Sequence, residues 1–254
     1  MKHPNTMKSV KDTLLERRST RRYERKEIFN NHLSLIYAAI RNSPSSYNGQ
    51  QFSVIDISDQ YLKEQLYKLT KQKQIKTCNR FFLFCADYNK ITIAANAKNK
   101  TMPEFTKTAD GIIVGIIDAS LAMMSAIVAA ESCGLGTCCI GYARTAAPEK
   151  IAELLKLPCG VFAVCGLAIG APRETNDLKP KQSKELIIHN NHYRTDDMTQ
   201  ELLKYDNLIS KYNESRSGTP SENDWVEHIL NYYQEAMSYE ILNALRHQGF
   251  DISK

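Results

Sequence analysis

The sequence predicts a fold of interspersed helices and strands, built on a small sheet of about four strands. Four short apolar segments are typical of strands, and several other segments repeat apolar residues at helical spacing. One long segment, residues 105–133, is apolar on nearly every side, which is typical of a helix buried on all faces. So small a sheet covers only part of such a helix. We therefore expect its remaining face to pack against a second copy of the chain, in an obligate homodimer.

The elements follow a simple order along the chain. Apolar residues at helical spacing predict helices over residues 9–16, 31–41, 59–70 and 148–156. Continuous or alternating apolar residues predict strands over residues 53–57, 81–88, 137–140 and 161–169. Because Pro44 disfavours helical backbone at the residue before it, the second helix ends there and the polar residues 45–51 form a loop. The long helix ends at Gly134, a residue suited to a left-handed helix cap.

Two amphipathic helices are predicted at the end of the chain, over residues 196–212 and 224–247. They have no strands of their own, so we expect them to extend over a partner subunit. We therefore interpret residues 1–254 as a single domain, in which residues 196–254 form a helical extension that wraps the partner.

Composition limits the class of protein and its location. Seven cysteines, none of them in a C-x-x-C pair, lie mostly in apolar runs, which predicts a reducing, cytoplasmic compartment. We expect the adjacent Cys138 and Cys139 to be buried on a strand. No apolar targeting segment opens the chain. Asp118 lies inside the long apolar helix, which favours a core helix over a membrane span. His189 and His192 lack a third ligand nearby in sequence, so no metal site is predicted.

Positive charge is concentrated at one end of the chain. Residues 1–30 contain nine Lys and Arg against four Asp and Glu, and this excess equals the net charge of +5 for the whole chain. Within this segment, residues 17–21 offer three guanidinium groups and two hydroxyls, which can bracket a small polyanion. From charge alone, a solvated basic helix end is an equally good interpretation. A nucleic-acid-binding module is less well supported, because aromatic residues are not interleaved with the charge and the rest of the chain is neutral.

The common catalytic motifs are absent from the sequence. It contains no G-x-S-x-G, no G-x-x-x-x-G-K-[ST] and no H-E-x-x-H, and no nucleophile with a partnered base is visible. A chain with groups that can grip phosphate, but no acid, base or nucleophile, favours a cofactor that carries the chemistry itself.

Five motifs resemble those of the FMN-dependent nitroreductase family, in the same order and spacing. They are Arg17-Arg18-Ser19-Thr20-Arg21, Ser43–Gln50, Gln72, Gly134-Leu135-Gly136 with Ile140-Gly141, and Asp177–Lys181. Within that family the chain is most similar to the oxygen-insensitive NADPH nitroreductase and flavin reductase group, over about Val10 to Phe250. The resemblance implies an α+β fold: a three-layer α/β/α sandwich with a small mixed, mainly antiparallel sheet. It also implies a homodimer with FMN in two clefts at the subunit interface.

The resemblance also implies which residues bind FMN. Contacts to its phosphate and pyrimidine edge are expected from the basic segment, residues Arg17, Arg18, Ser19, Thr20 and Arg21. A loop of the other subunit is expected to reach the flavin with Ser45, Ser46 and Tyr47, while Gln72 bonds the pyrimidine ring. The face near N5 is expected to be lined by Cys139, Ile140, Gly141 and Tyr142. The phosphate is expected to be clamped by Lys179 and Lys181, where the family more often has Lys-Pro-Arg.

The activity implied is reduction of a nitroaromatic, a quinone or a second flavin by NAD(P)H, in two hydride transfers through FMN. Such alternating use of one pocket implies ping-pong kinetics, with no catalytic acid or base from the protein. The cation that stabilises the reduced flavin is expected to be Arg21. A flavin-binding storage or sensor protein without turnover is the alternative within the same resemblance. The loop 215–223 is basic in similar proteins and grips the 2′-phosphate of NADPH; this chain has Arg216 but Ser221, which predicts mixed use of NADPH and NADH.

Overall fold

The computed structural model describes residues 7–216 and 224–252. These residues group into two compact units: residues 7–175 with 240–252, and residues 176–216 with 224–239. The predicted C-terminal extension is therefore divided between the two units. The assignment of the whole chain to a single domain stays a prediction.

The first unit is built on a four-stranded sheet with the strand order β1-β2-β4-β3. The strands are β1 (Phe52–Ile57), β2 (Arg80–Asp87), β3 (Gly136–Ile140) and β4 (Val161–Gly170). Each neighbouring pair is antiparallel, and a parallel pairing occurs in an isolated bridge between Ser19 and Thr137. The predicted α+β fold with a small, mainly antiparallel sheet is confirmed.

Helices surround this sheet and also form the second unit. In chain order the described helices are α1 (Val10–Glu16), α2 (Asn30–Arg41), α3 (Gln60–Thr70), α4 (Lys73–Thr77), α5 (Asn89–Ala97), α6 (Ala109–Ser132), α7 (Tyr142–Thr145), α8 (Pro148–Leu154), α9 (Lys184–Ile187), α10 (Met198–Ser215), α11 (Trp225–Ala236) and α12 (Ile241–His247). The first unit contains α1–α8 and α12, and the second contains α9–α11.

The three-layer arrangement follows from the alternation of side chains along β2. Phe82 and Phe84 point to one face of the sheet, where they join a core formed with α2 and α6. Phe81 and Leu83 point to the other face, where they join a core formed with α3, α4 and α8. All four side chains are fully buried. The continuous apolar run of β2 therefore reflects a central strand covered on both faces.

The long apolar helix, α6, begins later than predicted. Residues 105–107 form a separate 3-10 turn. Thr108 then caps α6, because its Oγ1 accepts a hydrogen bond from Gly111 N at 3.0 Å. At the other end Gly134 takes the predicted left-handed conformation, with φ +77. By length and composition, α6 is long and apolar enough to cross a membrane. Here it packs between α2 and the sheet, as the central helix of the core that these elements form together, which we call the first core.

One face of α6 is only partly covered by the described residues. Ile113, Ile117, Leu121 and Met124 lie three or four residues apart, and each is between 40% and 52% exposed. This spacing places all four side chains on one side of the helix. We refer to these four residues as the exposed α6 stripe.

The last predicted helix, over residues 224–247, is wrong as a single element. The structure divides it into α11 in the second unit and α12 in the first. Ser238 Oγ donates to Glu235 O at 2.7 Å, and this local bond competes with continuation of the helix. In the second unit, α10 and α11 pack together through the rings of Tyr205 and Trp225, whose centroids are 5.4 Å apart. In the first unit, Phe250 follows α12 and is buried in the core.

Candidate functional site

The basic segment, residues 17–21, runs beside β3. Thr20 N donates to Thr137 O at 2.8 Å, and the same pairing forms the parallel bridge between Ser19 and Thr137. Thr20 is buried, whereas Arg17 and Ser19 are half-buried. The side chain of Thr20 lies directly over Gly136, where an added Cβ would be 2.3 Å from Thr20 Oγ1. Thr20 therefore fastens the segment to β3, and a direct contact from Thr20 to a ligand stays a prediction.

A buried carboxylate on α6 strengthens this junction. Glu131 Oε1 accepts hydrogen bonds from Thr137 Oγ1 at 2.7 Å and from Thr137 N at 3.2 Å. Burial raises the pKa of Glu131, and the hydrogen bonds from Thr137 and the positive charge of Arg17 partly offset this rise. The end of α6, the start of β3 and the basic segment are thus held together by one hydrogen-bonded group.

The end of β3 presents open backbone. Ile140 is buried, while Gly141 is exposed, and a Cβ added at Gly141 would meet no described atom within 4 Å. Tyr142, which is half-buried, begins α7 directly afterwards. The expectation that both neighbouring cysteines are buried is wrong for Cys139, which is exposed, whereas Cys138 is buried. Successive side chains of a strand point to opposite faces, so the two thiols cannot share one environment.

Arg21 is brought close to the turn between α3 and α4. A cavity of about 480 Å³ is lined by Arg21 together with residues of this turn and of the chain after β4. Its positive lining residues are Arg21, Arg22, Lys71, Lys73 and Arg173. Glu174 is the acidic neighbour, since its carboxylate accepts from Arg21 N at 3.1 Å and lies 3.5 Å from the Arg22 guanidinium. Gln72 lies in the same turn, at the N-cap position of α4, and is half-buried.

Sequence reasoning missed three of these cations, Lys71, Lys73 and Arg173. They lie far from Arg21 in sequence, and a lone surface lysine carries no signal of a site. The remaining predicted cation of the basic segment, Arg18, is half-buried and donates from Nε to Glu16 O at 3.1 Å.

The loop between α2 and β1 is attached to α6. Its residues Ser46–Asn48 form a 3-10 turn. Ser46 and the preceding Ser45 are half-buried. Ser46 N donates to Asp118 Oδ1 at 2.9 Å. Tyr47 stands at the tip and is 83% exposed. The side chain of Tyr47 is thus available to a surface outside the first unit.

The remaining predicted residues belong to the second unit. Lys179 and Lys181 are exposed, and Pro180 O between them accepts from Tyr205 OH at 3.4 Å, which ties their loop to α10. Arg216 follows α10 directly, and its backbone N donates to Tyr212 O at 2.9 Å. Ser221 lies outside the described residues. The roles of these residues stay predictions.

No cluster of three or more potential metal ligands occurs in the part of the chain that the structure describes. His189, one of the two neighbouring histidines, makes a hydrogen bond in which its Nδ1 accepts from Arg194 N at 3.3 Å. What the first unit offers is positive charge along the basic segment, together with open backbone at the end of β3. Such an arrangement can bind an anionic group and a flat ring system without using a protein nucleophile.

Comparison with known proteins agrees with this arrangement. Residues 14–171 match the model of the nitroreductase family, and residues 179–253 match the nitroreductase family C-terminal domain. The chain is 35% identical over 250 residues to FMN reductase [NAD(P)H] of Bacillus subtilis, covering 98% of this chain and 100% of that protein. It is 33% identical to the oxygen-insensitive NADPH nitroreductase of Salmonella typhimurium, covering 94% and 97% of the two chains.

A solved structure is similar over the same length. The hypothetical oxidoreductase YcnD from Bacillus subtilis superposes with a TM-score of 0.93 at 35% identity, covering 98% of this chain and 100% of that one. The resemblance to the family is therefore confirmed, both in sequence and in fold. The chain belongs to the nitroreductase family.

Proposed function

We propose that this protein is an FMN-dependent NAD(P)H oxidoreductase that reduces nitro compounds, quinones or free flavin. The observation that carries the proposal is the pairing of the basic segment with β3, through Thr20 N and Thr137 O at 2.8 Å. The positive charge of Arg17 acts on this strand, because it partly offsets the rise in the pKa of Cys139 that desolvation causes, two residues before the open backbone of Gly141. The names of the relatives, FMN reductase and NADPH nitroreductase, support the same activity.

The residues present fit FMN. The cofactor carries a phosphate at one end and a flat ring at the other. Arg17 and Ser19 would bind the phosphate. The assignment of Lys179 and Lys181 to the phosphate stays a prediction. An open surface at Gly141 suits a flat ring, because a side chain there would fill the space that the ring occupies.

When bound, FMN would supply the chemistry, which is hydride transfer between NAD(P)H and the second substrate. The part of this chain is to bind and orient. Arg21 would place a fixed positive charge beside the pyrimidine edge, where it would stabilise the negative charge of the reduced flavin. Gln72, in the turn that lines a cavity with Arg21, would orient the same edge by hydrogen bonding.

The proposal includes a homodimer. The exposed α6 stripe is apolar and lies next to a groove of about 510 Å³ lined by residues of α2 and α6, among them Leu35, Leu121 and Met124. A second copy would cover these side chains and remove their apolar surface from water. In such a dimer the exposed Tyr47, with Ser45 and Ser46, reaches the flavin of the other subunit.

The proposal further includes a cytoplasmic location and small-molecule partners besides the second copy, without nucleic acid or membrane. The core packing of α6 supports an enzyme that does not insert into a bilayer.

Absorption spectroscopy of the purified protein tests the function. We expect a yellow protein whose flavin absorption bleaches when NADPH is added without oxygen. The absorption should return on addition of nitrofurazone or menadione. A protein that retains flavin but is not bleached by either nicotinamide cofactor would instead be a storage or sensor protein. A protein that cannot be loaded with FMN would contradict the proposal.

Arg216 provides a test of nicotinamide preference. We expect Arg216→Ala to raise the KM for NADPH at least about tenfold and to leave that for NADH nearly unchanged, because a lost charge-assisted hydrogen bond is worth about 1.5–3 kcal/mol. Lys211→Ala, an exposed cation on α10, is the matched control and should affect neither KM. Equal effects of Arg216→Ala on both cofactors would exclude the arginine from 2′-phosphate recognition.

A further inference from the structure

Asp118 is a carboxylate in the middle of the most apolar helix of the protein. Its side chain is 0% exposed, and its helical neighbours Ala119 and Ala122 belong to the first core. Removing a carboxylate from water is costly, and an apolar residue of similar size would pack at this position without that cost. The presence of Asp118 therefore calls for an explanation beyond core packing.

The hydrogen bonds of Asp118 go to one residue of the α2–β1 loop. Asp118 Oδ1 accepts from Ser46 N at 2.9 Å and from Ser46 Oγ at 3.2 Å. The second oxygen, Oδ2, is buried and has no hydrogen-bond partner among the described residues. The carboxylate thus binds Ser46 while half of its own hydrogen-bonding capacity stays unused, which is a poor arrangement for stability alone.

The backbone that Asp118 holds is strained. Tyr47, Asn48 and Gln50 all have φ between +50 and +57, the left-handed region that residues other than glycine rarely adopt. Tyr47 is largely exposed, so packing within its own unit stabilises the turn little. A strained turn persists only where its surroundings hold it, and the bonds between Ser46 and Asp118 supply such a constraint.

A second tether lies about two turns away along α6 and does not reach the tip of the loop. Ser43 Oγ donates to Ser125 Oγ at 2.8 Å, which fixes the start of the loop to α6. Gln50 N donates to Ser45 Oγ at 3.1 Å, which closes the loop on itself. The turn that carries Tyr47 is therefore tied to the helix through Ser46.

We propose that Asp118 is a positioning residue for the cofactor site: its buried carboxylate holds Ser46 and keeps residues 45–47 in the shape that reaches the FMN of the other subunit. The inference rests on the proposed function, because it requires both FMN and the second copy. Asp118 itself is buried beneath the turn and touches neither cofactor nor substrate in this role.

Titration of the apoprotein with FMN, followed by flavin fluorescence, tests the inference. We expect Asp118→Ala to raise the Kd for FMN at least about tenfold, because the turn is released from its strained shape. We expect Asp118→Asn to stay within about threefold of the wild type, because its amide oxygen still accepts from Ser46 N. Asp110→Ala, at an exposed aspartate in the first turn of α6, is the matched control and should bind FMN normally.

Thermal unfolding of the apoproteins and size-exclusion chromatography separate positioning from general stability. We expect Asp118→Ala to keep the oligomeric state and the Tm of the wild type, since it removes a buried carboxylate with an unsatisfied oxygen. If Asp118→Ala does not fold, the FMN affinity and the Tm of Asp118→Asn test the inference instead. Wild-type FMN affinity in Asp118→Ala, or a tenfold loss in Asp118→Asn with its Tm unchanged, would overturn the inference while leaving the proposed function intact. Failure of the wild type to bind FMN would overturn both.

Discussion

Replacing Ile117 with arginine is expected to convert the protein to a colourless monomer. Ile117 lies in the middle of the exposed α6 stripe and is 46% exposed in one copy. In the proposed dimer this side chain is buried against the second subunit. An arginine there would be an unpaired charge in an apolar interface, at a cost of about 3–5 kcal/mol in each subunit. Size-exclusion chromatography with light scattering measures the mass, and absorption measures the flavin content.

A matched substitution controls for the change in residue type. Ile93 lies on α5 and is 60% exposed, so Ile93→Arg adds the same charge at a similarly open position outside the stripe. We expect Ile93→Arg to remain dimeric and yellow. A dimeric, flavin-loaded Ile117→Arg protein would show that the α6 stripe is not the subunit interface. If Ile117→Arg is monomeric but retains flavin, the α6 stripe would still be the subunit interface of the wild type, and the flavin site would be complete within one copy.

Replacing Gly141 with valine is expected to abolish flavin binding without weakening the fold. The backbone at Gly141 has φ −64, which any residue adopts, and a Cβ there meets no described atom within 4 Å. The protein itself therefore has room for the side chain. The proposed flavin does not, because its ring would approach this backbone closely. We expect the Kd for FMN to rise at least about a hundredfold, which corresponds to about 2.8 kcal/mol.

Gly136, the first residue of β3, provides the contrast to Gly141, which follows the last. At Gly136 an added Cβ would lie 2.3 Å from Thr20 Oγ1 and 2.7 Å from Thr20 Cβ. Gly136→Ala should therefore lower the Tm and the flavin content together, because it pushes the basic segment away from β3. Gly141→Val should lower the flavin content and leave the Tm of the apoprotein unchanged. Normal FMN affinity in Gly141→Val would exclude the end of β3 from the flavin site.

Local sequence pattern predicted the central elements well and the exposed ones poorly. The uninterrupted apolar run at residues 81–88 became β2, and the long apolar segment became α6. By contrast, α5 carries no buried residue, so it lacks the apolar face by which a helix is recognised in sequence. At the break between α11 and α12, the side chain of Ser238 makes a local hydrogen bond to the backbone. The spacing of apolar residues along the sequence does not predict such a bond.

The residues of the candidate site were likewise predicted from the sequence only in part. The cluster of arginines at residues 17–21 is visible in sequence because the charges are adjacent. The distant cations that join Arg21 and Arg22 around the cavity are Lys71, Lys73 and Arg173, and no local pattern connects them to the basic segment. The exposure of Cys139 beside the buried Cys138 follows from alternation along a strand that lies at the edge of the sheet.

By itself the sequence determined the helices and strands of the core, the position of the excess charge and the family, because each depends on residues that are close together or on motifs in a fixed order. The tertiary structure alone decided which distant groups meet. Ser46 and Asp118 are 72 positions apart, yet their atoms lie 2.9 Å from each other. Contacts of this kind arise when separately formed elements pack on a shared sheet, and spacing along the chain carries no record of them.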